Sequence, residues 1–242
     1  MNKMIQKKKI KNDFLWIVKM IRYNFGNIFG GKFLWFFLSA LIFFCLVAVI
    51  SVWNGSNPDE SFVYANMIFP AILLVFYPMI FGIQKDLDAG ILEILFGIPN
   101  YRYKVWLFRL VIVFILVFLL MFVFGILATI FLTPVNLLKM SYQVMYPVFF
   151  LGCMGFMFST IIKNGSGTAV VIVIIGVMIF FSDSYVDNTM WDVFLNPFNL
   201  PSNINESIWE STIIKNRIFL LVGAIIFVLT GLRNLQNREK FI

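Results

Sequence analysis

The chain has 242 residues, of which 61% are hydrophobic and only 13% are charged, and Phe alone occurs 30 times. No soluble domain has enough polar surface to cover so many apolar side chains, so the composition indicates an integral membrane protein. The net charge of +7 is typical of some nucleic-acid-binding proteins, but here the basic residues lie where the flanks of membrane helices need them, and we expect no nucleic-acid partner.

Six apolar runs predict an all-α fold with six transmembrane helices in a single domain covering residues 1–242. A helix needs about 20 apolar residues to cross a hydrocarbon core about 30 Å thick, and each run approaches or exceeds that length. The six-span bundle is expected to occupy residues 33–232. The predicted spans are 33–52, 62–83, 105–132, 142–162, 165–181 and 217–232.

An amphipathic segment precedes the first span. Apolar residues between Phe14 and Ile28 recur at three- and four-residue steps, with mostly polar residues opposite them. This pattern predicts a connecting helix over residues 10–31 that lies in the membrane interface. It fits a simple anchor as well as a mechanical element, and the lysines before it are expected to contact anionic membrane lipids.

The segment 84–104, between the second and third spans, is the candidate functional site. After Asp86, apolar residues recur at helical spacing over residues 91–98, interrupted by Glu93 and ended by Pro99. This spacing predicts a short amphipathic helix at the membrane surface. A membrane chain without a soluble domain of its own can receive mechanical work only through such a protrusion.

The segment 182–213, before the last span, is the longest connection and is not plainly polar. Trp191, Phe194 and Phe198 alternate with turn signals such as Asn196-Pro197. We expect short re-entrant or interfacial helices here. They would serve either as an aromatic anchor or as a gate.

The distribution of basic residues predicts the orientation. All of the 19 Lys and Arg residues except Lys139, Lys215 and Arg217 fall on the side of the two termini. By the positive-inside rule, this predicts a multi-pass protein of the cell membrane with both termini and the segment 84–104 in the cytoplasm. Arg109, one turn inside the third span, is expected to extend towards the lipid head groups.

Enzymatic chemistry is not expected in this chain. Histidine is absent, which removes imidazole bases and imidazole metal ligands. Residues 26–33 match a phosphate-binding loop in Gly and Lys only, because Phe33 stands where the magnesium-binding hydroxyl belongs. Since ionisable residues are almost absent from the predicted span interiors, an ion-driven relay is not expected either. We therefore predict no cofactor and no metal site, and an energy source on a separate subunit.

A set of spaced residues between spans two and three resembles the signature of ABC-2 type transporter permeases. The chain's end is also similar to that family, with Asn216-Arg217 at the predicted start of the last span and a charged stretch from Arg233 onward. Many members of the family have Glu at the first acidic position of the signature, where this chain has Asp. The residues that carry the signature are Asp86, Gly90, Leu92, Glu93, Leu95 and Pro99.

The resemblance implies a permease subunit of an ATP-binding-cassette exporter that forms half of a transmembrane path. It also implies two copies of a cytosolic ABC ATPase docked on the segment 84–104, here called the coupling segment, and a second permease subunit, identical or homologous. The residues fit this role, because Gly90 permits a sharp reversal, Leu92 and Leu95 can seat in a partner's groove, and Glu93 can meet a basic group. The alternative is a non-transporting membrane scaffold or immunity subunit that binds a ligand or a partner.

The predicted orientation can be tested by cysteine accessibility. In a background lacking Cys45 and Cys153, cysteines at Ser56 and Ser202 should react with a membrane-impermeant reagent added outside the cell, whereas a cysteine at Ser166 should not. Labelling of Ser166 alone from outside would refute the six-span arrangement.

Overall fold

The computed structural model describes residues 32–55, 57–88, 90 and 102–236, and within these ranges it consists of helices joined by turns and irregular connections. Each helix is long and apolar enough to cross a membrane. The third helix is preceded by a π-helix, Arg102–Leu107. The helices are α1 Phe33–Trp53, α2 Glu60–Asp88, α3 Phe108–Phe131, α4 Leu137–Ile162, α5 Gly165–Val186 and α6 Glu206–Asn234.

All six predicted spans are confirmed as helices of membrane-crossing length and apolarity. The observed helices exceed the predicted spans mainly at their polar ends, where local hydrogen bonds extend them. The Asp59 carboxylate accepts a bond of 2.8 Å from the Phe62 backbone N–H at the start of α2. The Asn136 side chain accepts one of 3.1 Å from the Lys139 N–H at the start of α4. Such caps satisfy the first backbone donors of a helix without any apolar residues.

Two helices form the centre of the bundle. In their most apolar stretches, α2 and α4 are 61% and 67% buried, against 17 to 22% for α1, α5 and α6. α2 contacts α1, α3, α4 and α5, and α4 contacts α2, α3, α5 and α6. We call the end of the bundle that holds Lys32, Asp88 and Asn234 the terminal end, and the opposite end the loop end.

Aromatic pairs explain where much of the abundant Phe is used. Phe43 of α1 and Phe69 of α2 have ring centroids 4.4 Å apart, and Phe114 of α3 lies 4.3 Å from Phe149 of α4. Such tilted pairs add about 0.5 to 1.5 kcal/mol beyond the area that they bury. They matter in a bilayer, because lipid tails are as apolar as the side chains and helix association depends on close packing.

The loop end contradicts the expectation of short helices within 182–213. α5 continues to Val186, and residues 187–205 form turns without a helix. Two of these turns are closed by side chains, since Asp192 accepts from the Phe194 N–H at 2.7 Å and Asn196 accepts from the Phe198 N–H at 3.1 Å. Asp and Asn side chains that bond the backbone two residues later favour turns over helices.

The last helix is longer than predicted. It begins at Glu206 instead of residue 217, so Arg217 lies about three turns inside it. The first helical turns of α6 contain many charged and amide residues, so their low hydropathy predicts a connecting loop. They are nevertheless helical, because Trp209 faces the protein interior and is buried.

Gly165, the first residue of α5, allows this helix to approach α2 closely. Its N–H donates to the Gln84 side-chain oxygen. A Cβ atom at this position would overlap the ring of Phe81 and the Gln84 amide. Gly176, in the middle of the same helix, has open space where its Cβ would be.

Gly165→Ala should therefore destabilise the protein, whereas Gly176→Ala should not. Overpacking of this kind costs about 1 to 3 kcal/mol, while replacing an unhindered helical Gly by Ala gains up to about 1 kcal/mol. Thermal unfolding of the two variants in detergent, followed by size-exclusion chromatography, measures the difference. Equal midpoints would show that α5 does not pack on Phe81 as described.

Candidate functional site

The candidate site lies at the terminal end, where α2 ends and α3 begins. α2 runs to Asp88, and the chain returns to the bundle through the π-helix Arg102–Leu107. π-Helical turns are rare and occur frequently at functional sites. The two helix ends thus flank the middle of the coupling segment.

An ion pair between Asp86 and Arg109 joins these two helix ends. The Arg109 Nη1 donates to Asp86 Oδ2 at 2.7 Å and Nη2 donates to Asp86 Oδ1 at 3.3 Å. Asp86 is 2% exposed and Arg109 7% exposed. Two parallel bonds between a guanidinium and a carboxylate restrict orientation as well as distance. The pair therefore holds the last turn of α2 against the first turn of α3.

Arg109 also contacts a backbone carbonyl oxygen and an aromatic ring. Its Nη1 also lies 3.5 Å from the Gly82 carbonyl oxygen, one turn before Asp86. Its guanidinium carbon is 4.9 Å from the centroid of the Trp106 ring, which belongs to the π-helix and is buried. A guanidinium over an indole face is held by the ring quadrupole. Asp86, Gly82 and Trp106 together fix the side chain on three sides.

Gly90 follows the end of α2 in a left-handed conformation. Its φ is 64°, and its N–H donates to the Leu87 carbonyl at 3.0 Å. Glycine adopts positive φ without the steric cost that a Cβ imposes. The positive φ explains why glycine is favoured at this position.

The structure covers only part of the predicted site. It brings Asp86 into the protein interior and describes Gly90. Leu92, Glu93, Leu95 and Pro99 lie outside the described residues, together with the predicted helix over 91–98 and the connecting helix over 10–31.

Arg109 was predicted incorrectly. It does not extend to the lipid head groups, because it is buried and paired with Asp86. A signal was present, since an ionisable residue inside a span is usually paired, and Asp86 is an acid near the end of the neighbouring span. The sequence of α3 alone does not reveal this partner, because Asp86 is 23 residues away on α2.

A second buried cation, Arg217, lies at the loop end. Its burial was not predicted, because the sequence placed it at the start of the last span. Arg217 is 5% exposed and donates to the Gln143 side-chain oxygen at 2.9 Å, to Asn216 Oδ1 at 2.9 Å, to the Tyr64 hydroxyl at 3.4 Å and to the Leu195 carbonyl at 3.3 Å. These acceptors are neutral and come from α2, α4, α6 and the turns between α5 and α6. The network ties the loop-end connection to three helices.

An apolar cavity of about 720 Å³ lies between α1 and α5, over α2 and α4. Aromatic side chains contribute much of its wall. Lining residues include Phe36, Phe69, Phe76, Phe180 and Phe181. Its lining runs from Phe69 to Ile80 on α2 and from Ile172 to Phe181 on α5, which corresponds to about 15 Å along the helix axes.

Within the described ranges, no group of three or more His, Cys, Asp or Glu side chains could hold a metal ion. A scan against protein-family models found no matching family, and searches among curated proteins and solved structures found no match. The described part of the site is therefore a junction between two helix ends, held by the Asp86–Arg109 ion pair.

The Asp86–Arg109 pair can be tested by a double-mutant cycle. Asp86→Leu and Arg109→Met should each destabilise the protein by about 3 to 5 kcal/mol, because each leaves one buried charge without its partner. The double variant, which has neither charge, should recover most of that loss.

The measurement is thermal or denaturant unfolding of the purified protein in detergent. Asp187→Leu is the control, because Asp187 is exposed at the opposite end of the bundle, and it should change the free energy of unfolding by no more than about 0.5 kcal/mol. Additive effects of the two single changes would show that the side chains do not interact.

Proposed function

We propose that this chain is the permease subunit of an ATP-binding-cassette exporter. In this proposal two copies of a cytosolic ABC ATPase dock on the coupling segment, and a second permease subunit, identical or homologous, completes the transmembrane path. The single observation that carries the proposal is the Asp86–Arg109 pair, which locks together the two helix ends that flank the segment. The signature-like spacing from Asp86 to Pro99 supports the same assignment.

The mechanism follows from the rigidity of this junction. A force applied by an ATPase to the middle of the coupling segment reaches α2 and α3 through their joined ends. Because the pair is bidentate and buried, the two ends move as one body and do not separate. Closure of the ATPases around nucleotide would then tilt both helices together, which is a rigid-body transition of the kind that opens transport paths.

The signature residues divide into two roles under this proposal. Asp86 is a positioning residue, since a carboxylate that is 2% exposed and held by Arg109 has no free surface for a partner. Gly90 sets the direction in which the chain leaves α2, through its φ of 64°. Docking on the ATPase is assigned to Leu92, Glu93 and Leu95, whose residue types suit an apolar seat with a charged edge.

The cavity between α1 and α5 is assigned to this subunit's half of the path. Its apolar, aromatic wall suits a cargo that partitions from the membrane, since such a cavity offers few hydrogen-bond partners to a polar solute. α2 lies behind this cavity and also ends in Asp86. Movement of the coupling segment therefore acts on a helix that lines the proposed path.

Two substitutions test whether the coupling segment binds an ATPase. Leu92→Asp places a charge in the proposed apolar seat, and Glu93→Lys reverses the charge at its edge. Each should weaken ATPase association by about 2 to 5 kcal/mol, as expected for a desolvated contact. Matched controls at the loop end are Leu200→Asp and Glu210→Lys, both at exposed positions.

The measurement is copurification of the ATPase, together with ATP hydrolysis by the reconstituted complex, at equal amounts of protein in the membrane. Unaltered copurification and hydrolysis in both coupling-segment variants would contradict the proposal. A copurifying partner that hydrolyses no ATP would favour the alternative, a membrane scaffold or immunity subunit.

A further inference from the structure

A groove of about 390 Å³ runs along the outer surface of the bundle between α3, α4 and α6. It shares no lining residue with the cavity between α1 and α5. Its wall is apolar except for two phenol groups at one end. The lining includes Val111, Ile115, Phe118, Tyr142, Tyr146 and Leu221.

The groove has the position and length of a site within one lipid leaflet. Its residues on α4 run from Tyr142 to Phe149, which corresponds to about 10 Å along the helix. One leaflet of hydrocarbon is about 15 Å deep, half of a core of about 30 Å. Since Ile115 and Val111 are exposed at its edge, the groove opens sideways to the lipid.

The polar end of the groove carries a hydrogen-bond donor. The Tyr146 hydroxyl donates to the Tyr142 hydroxyl, and each phenol has a single O–H. The bond between the two hydroxyls uses only one of their two O–H groups, so the other can donate to a ligand, and Tyr142 is exposed at the groove's mouth. Arg217 supports the arrangement from inside, with its guanidinium carbon 5.1 Å from the centroid of the Tyr146 ring.

A cation lies above the same end. Lys139 precedes Tyr142 by three residues, so both side chains project from one face of α4. Lys139 is exposed, and its amino group lies 5.2 Å from the centroid of the Phe198 ring in the loop-end turns. It is near the start of α4 at Leu137, at the depth where a lipid head group meets the hydrocarbon. Lys139 does not line the groove itself, but its ammonium group and the phenol hydroxyl of Tyr142 are carried by the same face of α4 at the polar end of the groove.

We infer that this groove binds a phospholipid, with one acyl chain lying between α3, α4 and α6 and its phosphate between Lys139 and Tyr142. The charge pattern matches such a lipid, which is anionic at the phosphate and apolar below it.

The test uses the full chain in vesicles of phosphatidylethanolamine and phosphatidylglycerol, with a trace of phosphatidylglycerol that carries a diazirine halfway along one acyl chain. After photolysis, peptide mass spectrometry locates the label. We expect it to concentrate at residues 111–118 of α3 and 142–149 of α4. Leu221→Trp, which fills the groove, should lower this labelling severalfold.

Two matched controls separate the groove from general lipid contact. Val222→Trp introduces the same side chain at an exposed neighbouring position that does not line the groove, and should leave the labelling unchanged. Lys139→Gln should lower it about fivefold, the equivalent of about 1 kcal/mol for one lysine near a charged lipid surface. Lys215→Gln removes an exposed charge elsewhere at the loop end and should have no effect.

Label spread evenly over the exposed helices, or equal labelling of Leu221→Trp and Val222→Trp, would overturn the lipid site. Unchanged labelling of Lys139→Gln would overturn the phosphate contact. Efficient disulfide formation between two copies of Ile115→Cys would identify a second copy of the chain as the occupant. None of these outcomes depends on an ATPase, so the site is tested separately from the transport proposal.

Discussion

A charge inside a hydrocarbon layer has to be neutralised or hydrogen-bonded by the protein itself. This requirement decides how the terminal end of the bundle is built. Arg109 points away from the lipid and takes the carboxylate of Asp86 in two parallel bonds, and the ring of Trp106 closes over it. The end of α2, the π-helix and the start of α3 are thereby brought to one place. The Asp86–Arg109 pair thus sets the relative position of the two helix ends between which the coupling segment runs.

The two buried cations are accommodated in different ways. Arg109 has a carboxylate partner on a neighbouring helix, so its charge is balanced locally. The hydrogen-bond partners found for Arg217 are amide, hydroxyl and carbonyl oxygens. One of them, the Leu195 carbonyl, belongs to the turns between α5 and α6. Arg217 therefore links the turns to α2, α4 and α6 at the loop end, whereas the Asp86–Arg109 pair links α2 directly to α3.

The spans could be predicted from the sequence, because the bilayer imposes a length and an apolar composition that hydropathy detects. The start of α6 at Glu206 could not, since polar helical turns and polar connections look alike on that scale. The spacing of the signature identified Asp86 as a candidate site residue. The burial of Asp86 could not be predicted from the sequence of α2 alone. Its partner Arg109 is on another helix, and only tertiary packing brings the two together. The turns at Asp192 and Asn196 depend on individual side-chain bonds that periodicity does not detect.

The π-helix Arg102–Leu107 makes the angular position of Arg109 sensitive to chain length. In an α-helix successive residues are separated by about 100° around the axis, and a π-turn accommodates additional backbone within the same helix. Loss of one residue between 102 and 107 would turn the side chain of Arg109 by about 100° relative to α2. Both residues of the ion pair would still be present, but the guanidinium of Arg109 would face away from Asp86. Homologous chains that keep this ion pair should therefore tolerate substitutions within the π-helix more readily than insertions or deletions.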